Sequence, residues 1–188
     1  MVKYYYEDYC ISIYSAPPYT PGSSDNKPYC KIIALEQSDF CSMFEIEVEH
    51  WGEVQSVLLV APYHTPTNSF TAYHKKGVFM MLNDVLCIFN PKTLSIGKQV
   101  SINPLGTMFE VHTYREDYIL YGETDIYRIS EDLDIMWEFS ARDIFVRCQG
   151  DEPAFLLKDD RICLYDFLDN YYEIDYNGHL LTDRQAHT

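Results

Sequence analysis

The fold is decided by three stretches of one pattern: FMMLNDVLCIFN at 79–90, YILYGETDIYRIS at 118–130 and FLLKDDRICLYD at 155–166. Each stretch is an apolar run, a short polar turn that holds an aspartate, and a second apolar run that ends in a turn-forming residue. Alternating short runs and turns of this kind predict β-hairpins. The turn aspartates Asp84, Asp125 and Asp160 are 41 and 35 residues apart, a spacing typical of a repeated sheet unit.

Each hairpin is followed by a second polar turn and a third run, and further runs appear at 108–111 and 144–146. Strands at this short, regular spacing predict an all-β fold of antiparallel meanders with three to four strands each, arranged as a propeller-like fragment or a sandwich, with little helix. The 188 residues fit one domain, 1–188. We expect an irregular N-terminal part, 1–76, and a repeated part, 77–188.

The repeated units resemble the blades of a β-propeller, and the second is similar to the quinoprotein-type repeat. In that repeat an acidic turn precedes a Val/Ile-x-Trp-x-Phe strand, here Asp132, Asp134, Ile135, Trp137 and Phe139. The likeness covers 77–178, although the turn lacks the usual glycine and only this unit carries the tryptophan. The resemblance implies a scaffold and transfers no functional residue.

The N-terminal part is less regular. One strand is predicted over 4–14, and the stretch SAPPYTPGSSDNK at 15–27 is predicted to be a loop because proline and glycine interrupt a strand. The stretch MFEIEVEH at 43–50 alternates apolar and acidic residues, which predicts a strand with one face in the core. The apolar run 54–61 fits either a strand or a short helix.

The chain is strongly acidic, with a formal net charge of −15 from 29 acidic and 14 basic residues. The first half, 1–94, holds 10 acidic and 6 basic residues, whereas 95–188 holds 19 and 8. This charge opposes direct binding to nucleic acid or to anionic membranes, and it favours a basic protein partner. The alternative is that the acidic residues only keep a tyrosine-rich sheet protein in solution.

The compartment is predicted from three sequence features. The first 14 residues lack the basic start and apolar core of a signal peptide, and no stretch of about 20 apolar residues occurs. The six cysteines form no CxxC pair, and several lie in apolar runs, as buried reduced thiols do. We therefore expect a cytoplasmic protein.

No motif identifies an enzyme. The sequence has no GxSxG, HExxH, GxxxxGK or GxGxxG stretch, so no catalytic residue, cofactor or metal is assigned and enzymatic activity is left undecided. The histidines at 64 and 74 with Asp84 could form half of a metal site, but this spacing also arises by chance. Paired aspartates, at 132/134, 159/160 and 166/169, suit acid–base chemistry or, more simply, turns.

The acidic turns are the predicted partner-binding site: Glu131, Asp132, Asp134, Asp159, Asp160, Asp166 and Asp169. Alternate turns of a meander lie at the same edge of the sheet. We therefore expect 131–134 and 166–169 to share one edge, and Asp125 and 159–160 to share the other. Uncompensated carboxylates speed the capture of a basic partner.

Three functions are compatible with these features. The first is a non-enzymatic protein-binding module, and the composition resembles that of acidic immunity-type inhibitors of basic toxins. The second is binding or hydrolysis of a carbohydrate-like ligand, which would use the paired carboxylates and the consecutive tyrosines at 4–6 and 171–172. The third is a structural domain in a homo-oligomer.

Overall fold

A computed structural model of the chain describes residues 1–35, 41–62, 68–147 and 153–186. Within these ranges the chain forms 17 β-strands and one short 3-10 helix, Asn68–Phe70. The strands belong to two compact units, Met1–Ile102 and Asn103–Thr188. The prediction of an all-β fold built from antiparallel meanders, with little helix, is confirmed.

The first sheet of the N-terminal unit has the strand order β1-β2-β4-β5-β3. Its strands are β1 (Val2–Tyr6), β2 (Tyr9–Ser15), β3 (Lys31–Ala34), β4 (Cys41–His50) and β5 (Glu53–Pro62). All neighbours are antiparallel except β3, which is parallel to β5. The single strand predicted over 4–14 is wrong, because the chain reverses at Glu7, where φ is 52°. The segment between β2 and β3 contains the predicted loop, and the run 54–61 is strand, not helix.

The second sheet of this unit is a four-stranded meander. It consists of β6 (Thr71–His74), β7 (Gly77–Leu82), β8 (Val85–Asn90) and β9 (Ser95–Ser101). The two sheets bury one shared apolar core, to which the first contributes Ile11, Phe44 and Ile46 and the second Met80 and Phe89. The alternation in 43–50 is explained by this core, because β4 turns its apolar residues toward it.

The C-terminal unit contains two further four-stranded meanders. One consists of β10 (Met108–Tyr114), β11 (Asp117–Gly122), β12 (Asp125–Ile129) and β13 (Ile135–Ser140). The other consists of β14 (Phe155–Leu157), β15 (Arg161–Tyr165), β16 (Tyr171–Asp175) and β17 (Leu180–Arg184). Their shared core includes Ile119, Ile126, Phe145, Leu164 and Ile174.

The three sequence hairpins do not occupy equivalent positions. The stretches at 79–90 and 118–130 form the second and third strands of their sheets, whereas 155–166 forms the first and second strands. The run at 108–111 belongs to β10, the first strand of the next sheet, and 144–146 lies outside the strands. The third hairpin, 155–166, therefore begins one strand earlier in its sheet than the other two hairpins. This shift moves its turns to the opposite ends of the sheet.

Candidate partner-binding surface

The seven predicted site residues lie in three turns of the C-terminal unit. Glu131, Asp132 and Asp134 belong to the turn between β12 and β13, and Asp159 and Asp160 to the turn between β14 and β15. Asp166 and Asp169 belong to the turn between β15 and β16. Within each sheet, the two turns that flank one strand lie at opposite ends of that strand. The 158–160 and 166–170 turns are therefore at opposite ends of β15.

Backbone hydrogen bonds place the 166–170 turn beside the hairpin that joins β11 and β12. The Phe145 N–H donates to the Glu123 carbonyl (2.5 Å), and the Phe167 N–H donates to the Ile144 carbonyl (2.8 Å). Glu123 and the 130–134 turn lie at opposite ends of β12. The expectation that 131–134 and 166–169 share an edge is therefore wrong.

Other contacts place the 158–160 turn at the same end of the unit as the 130–134 turn. Arg128 and Trp137, which pair across β12 and β13 next to that turn, both donate to the Tyr176 carbonyl, at 2.7 and 3.0 Å. The Tyr176 hydroxyl in turn donates to the Lys158 carbonyl (2.6 Å). Five of the seven acidic residues thus lie at one end of the unit. We call the turns 130–134 and 158–160 the acidic end.

Asp166 is not a surface residue. Its side chain is 0% exposed, and its carboxylate accepts hydrogen bonds from the N–H groups of Leu168 (3.0 Å) and Asn170 (2.9 Å). The Asn170 amide and the Tyr172 hydroxyl also donate to it, both at 2.8 Å. Asp166 therefore holds its turn together, and it is corrected from a partner-binding residue to a structural one. These four hydrogen bonds also oppose the alternative in which Asp166 forms an acid–base pair with Asp169.

Asp125 performs the same task in the neighbouring hairpin. It is buried, and its carboxylate accepts hydrogen bonds from the Ser140 hydroxyl (2.6 Å), the Leu105 N–H (2.8 Å) and the Thr124 hydroxyl (2.8 Å). Buried carboxylates persist where several donors compensate their charge. The expectation that Asp125 and 159–160 share an edge is also wrong, because Asp125 begins β12 at the end opposite the 130–134 turn, whereas the 158–160 turn lies at the same end as that turn.

Two of the remaining carboxylates form ion pairs within the unit. The Arg161 guanidinium makes two hydrogen bonds to Asp160, at 2.8 and 2.9 Å, and this interaction lowers the pKa of the exposed Asp160 carboxyl. Arg147 donates to Asp169 at 2.9 Å. The Arg161–Asp160 pair is exposed and therefore contributes little to stability, whereas the Arg147–Asp169 pair is partly buried. They also reduce the local negative charge at Asp160 and Asp169.

The predicted tyrosine sites are used mainly inside the protein. The Tyr171 hydroxyl donates to Glu173 (2.7 Å), and that of the buried Tyr172 donates to Asp166. The Tyr4 hydroxyl is hydrogen-bonded to Thr71 (2.6 Å), whereas Tyr5 is exposed. Burial and the hydrogen bonds to Cys163 and Glu173 raise the pKa of Tyr171. Internal hydrogen bonding therefore accounts for most of these residues without a sugar ligand.

The structure also reveals an aromatic stack that the sequence interpretation missed. The rings of Tyr9 and His50 are stacked at a centroid distance of 4.1 Å, and those of His50 and Trp51 at 4.5 Å. His50 Nε2 is 2.8 Å from an Asp8 oxygen, and this hydrogen bond lowers the pKa of Asp8. The available signal was Gly52 between two strand-like runs, since glycine at the second position of a two-residue loop favours a hairpin turn.

Comparison with known proteins identifies no family. No protein-family model and no curated protein sequence matches the chain. Among solved structures, BamB from Moraxella catarrhalis matches with 7% identity and a TM-score of 0.47, over 80% of this chain and 48% of that chain. Raptor from Chaetomium thermophilum matches with 10% identity and a TM-score of 0.47, over 82% and 16%. The computationally designed Ika8 protein matches with 12% identity and a TM-score of 0.48, over 81% and 48%.

The chain thus spans less than half the length of each of these three proteins. At these similarities they assign neither a family nor an activity to it.

Metal chemistry gains no support from the described residues. Among them, no three histidine, cysteine, aspartate or glutamate side chains converge as metal ligands. Residue 64, one of the two histidines of the predicted half-site, lies outside the described residues. His74 is buried and its Nδ1 accepts a hydrogen bond from the Lys76 N–H (3.0 Å), which stabilises the turn between β6 and β7.

Within the described ranges of the chain, no helix has the length and apolar character to cross a membrane.

Proposed function

We propose that the chain is a non-enzymatic protein-binding module that captures a basic protein partner through the acidic end of its C-terminal unit. The observation that carries this proposal is the placement of Asp132, Asp134 and Asp159 as exposed side chains in turns at the same end of that unit. Glu131 and Asp160 belong to the same two turns. Carboxylates collected at one end of a unit create a local field that attracts cationic side chains.

The charge balance of this unit supports the proposal. Residues 103–188 hold 19 acidic and 7 basic residues, a formal charge of −12, whereas residues 1–102 hold 10 and 7, a charge of −3. The seven bases of the C-terminal unit can neutralise at most seven of its acids. Ion pairs such as Arg128–Asp117 and Arg161–Asp160 already use some of them. An excess negative field therefore remains, whichever acids are paired.

Within this class, we propose an immunity-type inhibitor of a basic toxin that acts in the cytoplasm. The quinoprotein-type repeat that includes Trp137 would serve as its scaffold. Two buried cysteines, Cys87 and Cys163, suit a reducing compartment, and the described cysteines form no disulfide. Burial raises the pKa of the Cys87 thiol to about 12, so this thiol is inert at neutral pH. Formation of a 1:1 inhibited complex with a basic toxin encoded beside this chain would test the proposal.

Charge-neutralising variants test the location of the site. We expect Asp132→Asn/Asp134→Asn/Asp159→Asn to bind an acetylated octa-arginine peptide about tenfold more weakly than wild type in low salt, from three contacts of about 0.5 kcal/mol each. A matched control, Asp25→Asn/Glu123→Gln/Glu138→Gln, removes the same charge elsewhere, so that both variants have a net charge of −12 instead of −15. Titration calorimetry at 20 and 300 mM salt measures both effects.

Two results would contradict the proposal. One is an equal loss of affinity in both triple variants, which would show that only the total charge matters. The other is an affinity that does not change between the two salt concentrations, because contacts between exposed charges weaken as salt screens them.

Self-association is a second candidate, favoured by the edge strand β17. Leu180 and Leu181 are consecutive in that strand, yet about half of each side chain is exposed. An edge strand with exposed apolar side chains is a template for pairing with another chain. If β17 mediates self-association, sedimentation analysis should show a dimer for wild type and a monomer for Leu181→Lys. A monomer for both proteins would contradict this candidate.

A further inference from the structure

Trp51 occupies an unusual backbone position at the tip of the hairpin between β4 and β5. Its φ is 51° and that of Gly52 is 83°, so both central residues of the turn are left-handed. Such turns favour Asn-Gly or Gly-Gly, whereas a bulky side chain at positive φ is strained. The Trp51 side chain is nevertheless 83% exposed. A costly conformation that buries little suggests a role other than folding.

The Trp51 ring stacks on side chains that are anchored in the N-terminal unit. One face stacks on the His50 ring, with planes 20° apart, and His50 stacks on Tyr9, with planes 6° apart. Tyr9 packs against the apolar core of the N-terminal unit, and Asp8 is hydrogen-bonded to His50. The ring is therefore fixed before any partner arrives, which limits the entropy that binding would cost.

The surroundings of the ring are acidic. Glu7 and Asp8 form the turn between β1 and β2, at the same end of the sheet as Trp51, and Glu49 and Glu53 flank the hairpin tip. All four carboxylates are exposed. Lys92 forms a salt bridge with Glu7 (2.7 Å). An exposed aromatic face with carboxylates in the neighbouring turns attracts a cation, and arginine can stack on indole while its N–H groups reach nearby acids.

We propose that Trp51 binds a guanidinium group of a protein partner on the ring face opposite His50. The identity of the partner as a basic protein rests on the proposed function, but the site itself stands on the geometry of Trp51. Carbohydrates also stack on exposed indoles, and we favour arginine because four exposed carboxylates lie in the adjacent β1–β2 turn and beside the hairpin tip that carries Trp51.

The side chain of Trp51 provides its own probe. The chain has two tryptophans, Trp51 and Trp137, and the spectrum of Trp51→Phe assigns their two indole N–H signals in ¹H–¹⁵N NMR. We expect an acetylated tetra-arginine peptide to shift the Trp51 signal in a saturable manner. A tetra-citrulline peptide, which is isosteric but neutral, and cellotetraose should leave it unmoved.

Substitution of Trp51 tests the affinity. We expect Trp51→Ala to bind the tetra-arginine peptide about 2- to 5-fold more weakly than wild type, the range for one exposed cation–π contact. Trp51→Asn should weaken binding equally while its melting temperature stays the same or rises, because Asn tolerates the left-handed turn. The net charge of both variants is that of wild type, so a general charge effect is excluded.

Three outcomes would overturn the inference: an unmoved Trp51 signal with arginine, a shift with cellotetraose in its place, or a drop of several degrees in the melting temperature of Trp51→Asn. The last would show that Trp51 is needed for folding. Failure of the proposed function is distinct, since it would appear as equal effects of the two triple variants whatever Trp51 does.

Discussion

Replacing Asp166 with alanine is expected to lower the free energy of unfolding of the C-terminal unit by about 3 to 5 kcal/mol. The substitution removes the acceptor of four hydrogen bonds, two from backbone N–H groups and two from the side chains of Asn170 and Tyr172. Those donors are in or near a buried turn, so most of them would be left without a partner. Urea unfolding in a Trp51→Phe background, where Trp137 is the remaining tryptophan, measures the change by fluorescence.

Two further variants make the test specific. Asp166→Asn keeps one acceptor oxygen and should cost about 1 to 2 kcal/mol less than Asp166→Ala. Asp159→Ala, in an exposed turn of the same sheet, should change stability by no more than about 0.5 kcal/mol. If Asp166→Ala were as stable as Asp159→Ala, the assignment of Asp166 as the anchor of its turn would be wrong.

Gly77→Ala is expected to lower the free energy of unfolding of the N-terminal unit by about 3 kcal/mol. Gly77 begins β7 with a φ of 143°, and an added Cβ would lie 2.0 Å from the Phe89 carbonyl oxygen of β8. Relief of that overlap requires the two central strands of the meander to separate. Urea unfolding followed by circular dichroism measures the loss.

The matched control is Gly97→Ala in β9 of the same sheet. A Cβ at Gly97 would meet no atom within 4 Å, and the change should be within about 0.5 kcal/mol. Equal stability of the Gly77 and Gly97 variants would contradict the close approach of β7 and β8 at Gly77.

The sequence patterns predict the strands well where they report on burial. Alternation at 43–50 gives β4, and the apolar runs at 79–90 and 118–130 give β7–β8 and β11–β12. The offset of the third meander was missed because an apolar run looks alike as the first or the second strand of a sheet. The strand break at Glu7 was missed because the sequence around it is apolar and aromatic on both sides.

The site was only partly predictable for a related reason. The sequence shows that an aspartate lies in a turn, but the same residue can face solvent or cap its own backbone. Asp132 and Asp159 are exposed, whereas Asp125 and Asp166 are buried as acceptors. Only the partners in space, such as Ser140 for Asp125 and Tyr172 for Asp166, separate the two cases.

The most direct test of the acidic end is a ¹H–¹⁵N NMR titration of the whole chain with the acetylated octa-arginine peptide. We predict that backbone signals in the turns 130–134 and 158–160 move together and saturate at one affinity, and that 300 mM salt abolishes the effect. Shifts that instead concentrate at 123–125 and 166–169, the opposite end of the same unit, would contradict the account.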